Sequence, residues 1–63
     1  MRLQYKDTLI GMRVKVQKYY DGLTDEFFEG TITNRDGQNI MVKTENGWEA
    51  CNPKYAIVQE IRR

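Results

Sequence analysis

Two Asx-Gly pairs, Asp36-Gly37 and Asn46-Gly47, stand ten positions apart in a chain of 63 residues, and alternating apolar and polar residues flank both. Such pairs accept the positive φ angles of tight hairpin turns, which makes them the strongest short-range hairpin signals a sequence offers. Between them, Gln38 to Thr44 carries Ile40 and Val42 on one face. Before them, Phe27 to Thr33 aligns Phe28, Gly30 and Ile32, and after them Trp48 to Cys51 aligns Trp48 and Ala50. A fourth run, Met12 to Lys18 after Gly11, aligns Met12, Val14 and Val16. Period-two patterns of this kind predict strands. Ile57 to Ile61 is apolar without clear alternation and is read as a closing strand.

No segment has the length and period of a substantial helix. Asn52-Pro53-Lys54-Tyr55-Ala56 has room for one turn, expected to be 3₁₀. Tyr20 to Asp25 reads as a longer connection between the first two strands. Five short strands joined by tight hairpins predict an all-β fold, a small five-stranded barrel with a 3₁₀ turn before the last strand. Residues 1–63 form a single domain in this reading, with residues 1–8 as an N-terminal extension.

Strand register is expected from the apolar faces. A two-residue turn at Asp36-Gly37 would set Ile32 opposite Met41 and strand Ile40 and Val42 against threonines. A three-residue loop, Arg35-Asp36-Gly37, instead pairs Ile32 with Ile40 and Gly30 with Val42. The same loop at Glu45-Asn46-Gly47 pairs Val42 with Ala50, Thr44 with Trp48 and Lys43 with Glu49. A one-residue slip would exchange the two faces, so three-residue loops are expected at both turns. Val14, Val16, Phe28, Ile32, Ile40, Val42, Trp48 and Ala50 then face inward. Thr31, Met41 and Cys51 form an outer apolar row, with Phe27 in the same parity, a surface for weak self-association unless Leu3 and Tyr5 cover it.

Composition narrows the chemistry. Cys51 is the sole cysteine and histidine is absent, so neither a disulfide framework nor a zinc site is available. Serine is absent as well, which removes the usual nucleophile–base pairs. Cys51 has no base near it in sequence and reads as a half-buried apolar residue. No catalytic residue and no cofactor is expected. The N-terminus has no apolar run of signal-peptide length, and no stretch approaches a membrane span, so a cytoplasmic location without membrane contact is expected. Ten basic and nine acidic residues give a net charge of +1, far from the basic excess of a dedicated nucleic-acid binder.

Gly11-Met12-Arg13-Val14-Lys15-Val16, Asp21-Gly22 and Phe28-Glu29-Gly30-Thr31-Ile32 follow one another in an order that, with the Gly47 turn and Asn52-Pro53, resembles SH3-like barrels of the Tudor or KOW type over residues 9–62. The resemblance implies a small binding barrel. In a methyl-lysine-binding Tudor domain, Tyr19 or Tyr20 and Phe28 would fall near cage positions, with Lys43 where a further ring is wanted. Tyr19-Tyr20-Asp21, Asp25-Glu26, Trp48, Pro53 and Tyr55 are also similar to the residues that line the polyproline groove of eukaryotic SH3 domains.

Charge is segregated along the chain. Residues 19–30 contain Asp21, Asp25, Glu26 and Glu29 and no lysine or arginine, whereas Arg13, Lys15 and Lys18 line the first predicted strand. Two function classes follow. In the first, Tyr19, Tyr20 and Tyr55, bordered by Asp21, Asp25 and Glu26, take a basic or extended segment of a partner protein. In the alternative, Arg13, Lys15, Lys18 and Lys43 form a nucleic-acid-binding face.

Overall fold

A computed structural model describes residues 1–62. They form one antiparallel sheet of six strands: β1 (Arg2–Leu3), β2 (Arg13–Tyr19), β3 (Leu23–Asp36), β4 (Asn39–Thr44), β5 (Gly47–Cys51) and β6 (Ile57–Glu60). Their order across the sheet is β1-β6-β2-β3-β4-β5, which leaves β1 and β5 as its edges. The fold is all-β as expected, with one more strand than the five foreseen. The extra strand is β1, in which Arg2 and Leu3 pair with Gln59 and Val58.

Leu3, Val14, Val16, Ile32, Ile40, Val42, Ala56 and Val58 form the buried core. They come from all strands but β5, plus the turn before β6, and among the described residues no second sheet or long helix covers them. A single sheet buries such a set only by curling onto its own concave face. Lys18 on β2 lies 3.5 Å from Glu49 on β5, although three strand spacings, about 14 Å in a flat sheet, separate those strands. The fourteen-residue β3 carries the bend, pairing with β2 through its first part and with β4 through its second. Gly30 is buried where the two ladders meet. A Cβ there would run into the Lys43 carbonyl and stand 2.7 Å from Val42 Cγ1, so only glycine lets β4 pass this close.

Both hairpin loops are two residues long. At the first, Asp36 pairs with Asn39 and Gly37-Gln38 form the turn, with φ +64 at Gly37. The expected pairing of Ile32 with Ile40 does not occur: Ile32 pairs with Val42, and Ile40 lies opposite Arg35. A bulge between Ile32 and Asn34 absorbs one residue and returns Ile32, Ile40 and Val42 to the same face. At the second, Thr44 pairs with Gly47 around Glu45-Asn46. The Thr44 hydroxyl holds this turn, accepting from Asn46 N–H at 3.1 Å and donating to the Gly47 carbonyl at 2.9 Å.

No bulge follows the second turn, and the faces of β5 are therefore the reverse of those expected. Trp48 lies beside Lys43 and is 60% exposed, and Ala50 lies beside Met41. Cys51 is opposite Ile40 and packs against the core. Neither Trp48 nor Ala50 is a core residue, and Phe28 only packs against the core's edge. The apolar row of Thr31, Met41 and Cys51 is broken, which removes the basis for self-association through a Met41/Cys51 face. Leu3 and Tyr5 pack on the core side instead of over that row.

The link between β2 and β3 is the tight turn Tyr20-Asp21-Gly22, not a connection reaching Asp25. The segment before β6 is a hydrogen-bonded turn, with the 3₁₀ helix lying instead at Tyr5–Asp7. Thr8 ends that helix, buried, its hydroxyl donating to the Tyr5 carbonyl at 2.6 Å. No helix among the described residues is long and apolar enough to cross a membrane.

Candidate binding groove

Two turns position the tyrosines. Tyr20 N–H donates to the Gly22 carbonyl at 2.7 Å, with φ +57 at Asp21 and +128 at Gly22, so the chain reverses sharply just after Tyr19. Across the sheet end, the Asn52 carbonyl accepts from both Tyr55 N–H and Ala56 N–H at 2.9 Å. The Asn52 side chain also accepts from Lys54 N–H at 2.9 Å, an Asx turn that starts the reversal. This wound segment seats Ala56 in the core and sets Tyr55 against Tyr19, with ring centroids 5.4 Å apart and planes tilted by 33°.

Tyr19, Tyr20, Phe28 and Tyr55 line one open pocket of about 450 Å³, whose floor includes Cys51 and Ala56 and whose rim includes Asn39 and Asn52. Tyr20 is 87% exposed. Of the acidic residues expected to border it, Glu26 lines the pocket while Asp21 and Asp25 do not. Lys18 lines it too, so its wall carries one charge of each sign and not the negative field expected. Phe28 was expected only at a cage position of the Tudor resemblance, and Lys18, Asn39 and Asn52 were not foreseen as lining residues. The Asx turn at Asn52-Pro53 was the signal for the last of these.

The four basic residues line one groove but come from both faces of the sheet. Lys18 turns to the concave side, 3.5 Å from Glu49 and 5.8 Å from the centre of the Phe28 ring. Arg13, Thr31, Lys43 and Trp48 instead form a row on the convex side across four neighbouring strands. Lys43 lies 5.2 Å from the Trp48 ring centre, Lys15 lies 5.1 Å from that of Phe27, and Arg13 donates to Thr31 at 3.3 Å. The two ammonium groups lie over rings that stay more than half exposed. The groove that all four basic residues line also takes Glu26, Glu29, Glu45 and Glu49, so its charges balance.

Burial, with the nearby Glu49 charge adding to it, pushes the Cys51 thiol up to about 11. At neutral pH the group is a protonated thiol and a poor nucleophile.

No known family model, curated protein or solved structure matches the chain.

Proposed function

We propose that the chain is a non-enzymatic binding module, an SH3-like barrel left open at one seam, whose tyrosine-lined pocket takes an extended segment of a partner protein. One observation carries the reading. Tyr19 and Tyr55, 36 positions apart in the chain, meet at a tilt beside Tyr20 and Phe28 around one solvent-open pocket. Rings at a surface give a rigid apolar wall that loses little entropy on binding, and their hydroxyls can pair with a peptide backbone. The asparagines at the rim offer donors and acceptors to the same backbone.

A random 12-residue peptide library displayed on phage supplies the probe, followed by amide-shift mapping of a selected peptide. Shifts at residues 18–28 and 51–56 are expected. Tyr20→Ala should weaken binding at least tenfold while the circular dichroism spectrum and melting temperature hold. Arg13→Glu with Lys15→Glu should leave peptide affinity within about twofold. If the selected peptides shift neither segment, the reading fails.

A second reading draws on the convex row, where two lysines lie beside exposed rings in the manner of a single-strand stacking surface. It predicts that a twelve-nucleotide oligothymidine binds with a steep salt dependence and that Trp48→Ala abolishes this. The four glutamates of the adjoining groove weigh against it.

A further inference from the structure

A second cleft of about 660 Å³ lies on the other side of Asn52, between the N-terminal segment and the Asn52–Ala56 turn. Its lining differs in kind from the other grooves: Arg2, Lys6 and Lys54 are cations, and no carboxylate lines it. Arg35 adds a fourth cation, its guanidinium carbon 4.5 Å from the Tyr5 ring centre and its Nη2 donating to the Tyr5 carbonyl at 3.1 Å. The carboxylate of Asp7, next to Lys6 in sequence, accepts from Gln4 N–H at 3.0 Å. The ion pairs Lys18–Glu49 and Arg62–Glu60 use none of these four cations. In a chain of net charge +1, this places a positive field at one point of the surface.

Arg2 also builds the cleft. Its Nη2 donates to the carbonyls of Pro53 and Lys54 at 3.4 and 3.2 Å, which ties β1 to the turn. Gln4, Gln38 and Asn52 supply three side-chain amides between the cations. Amides both donate and accept, as an extended peptide backbone requires, whereas a phosphodiester backbone offers acceptors alone. The ring of Tyr5 is covered by Arg35, leaving little for a base to stack on. Asn52 lines this cleft and the tyrosine pocket alike, so the two adjoin across that residue.

We propose that the cleft between residues 2–6 and the turn at Asn52 binds an acidic stretch of the same extended partner segment that enters the tyrosine pocket. The proposal rests on the peptide-binding reading and names its ligand: an apolar or aromatic-compatible portion against Tyr20 and Tyr55, continued by Asp or Glu residues past Asn52. The carboxylates would meet Lys6 and Lys54, with the free N–H groups of Arg2 behind them.

The test again uses the displayed 12-residue library, selected in parallel on wild type and on Lys6→Glu/Gln38→Glu. These two residues line the cleft but not the tyrosine pocket, and Lys54 is left in place because its Nζ lies 5.7 Å from the Tyr55 ring centre. Peptides selected on wild type should carry Asp or Glu clustered at one end. They should bind the double variant at least tenfold more weakly, as expected for reversing the charge environment of an exposed site. Lys6→Arg should keep the affinity, and 0.5 M NaCl should weaken binding to wild type but not to the variant. Selected peptides with no acidic preference that bind both proteins equally, yet still need Tyr20, would overturn this proposal and leave the pocket reading intact. Selected peptides that shift neither region would remove both. Displacement of a selected peptide from the cleft by oligothymidine, with shifts at Lys6 and Gln38, would assign the cleft to nucleic acid instead.

Discussion

Trp48 Nε1 donates to the Thr33 hydroxyl at 3.2 Å, and that link runs along the outside of the sheet. Thr33 is the residue that the β3 bulge leaves over, and Trp48 is the first side chain after the second hairpin turn. The bulge and the reversed parity of β5 are thus joined by one hydrogen bond on the convex face. The indole is a surface group, and its removal should cost little. Trp48→Ala is expected to lower unfolding free energy by about 1 kcal/mol or less, whereas Val42→Ala should cost about 2–3 kcal/mol because Val42 is fully buried. Urea titrations of both variants check this. Native tryptophan emission should already be red-shifted and open to acrylamide quenching.

Gly30 is expected to be the least replaceable glycine. Alanine there must displace either the β4 backbone at Lys43 or the Val42 side chain, and neither is a loose end. Gly30→Ala should cost more than about 2 kcal/mol and leave much of the protein unfolded. Gly37→Ala meets no atom within 4 Å and carries only the positive-φ penalty of about 1 kcal/mol. A chemical melt that ranks Gly37→Ala as the more damaging change would contradict the close approach of β4.

The Cys51 thiol should react slowly. A value near 11 against the usual 9.0 lowers the thiolate fraction at pH 8 about 100-fold, so its reaction with a disulfide reagent should lag that of a free cysteine by about that factor. The folded state holds the proton more tightly than the unfolded one. Its contribution to stability is therefore complete below pH 9 and declines as pH rises from 9 towards 11. Cys51→Ala should flatten that alkaline decline in a series of urea melts. An unchanged decline would assign it to other groups.

Lys18 and Glu49 reach across the concave face of the curled sheet, but both side chains keep more than a third of their surface in water. A double-mutant cycle with alanine should give a coupling of about 0.5 kcal/mol that fades in 1 M NaCl. A coupling of several kcal/mol would mean that the curl of the sheet depends on this pair.

Much of the fold was legible in side-chain alternation. Val14, Val16, Ile32, Ile40 and Val42 are all core residues, because a two-residue period registers which face is apolar whatever the turn does. Pairing partners were less legible. The Gly37-Gln38 turn and the Thr33 bulge offset one another, so the same face arises from a different register, and nothing in the local pattern separates the two solutions. At β5 the deciding group is the Thr44 hydroxyl, which holds a two-residue turn where Gly47 had suggested three. Trp48 and Ala50 were misplaced for that reason. In the groove, Tyr19, Tyr20 and Tyr55 flank turns that could be read locally. The cationic cleft draws on residues 2–6, 38 and 52–54, and its assembly depends on β1, a strand of two residues with no periodicity to read.

The antiparallel pairing of Arg2 with Gln59 brings the path into the sheet and the path out of it to the same corner. A few glycines and serines would be enough to join residue 1 to the end of β6 without disturbing either strand. The molecule could then be cut open elsewhere, and the exposed Glu45-Asn46 turn is the natural place, since it is short, polar and remote from Asn52. Such a circular permutant would keep β1 in the middle of its chain, where fraying of the ends can no longer release Leu3 from the core. The same corner also makes this small sheet suited to insertion into a loop of another protein, since host chain can enter and leave side by side.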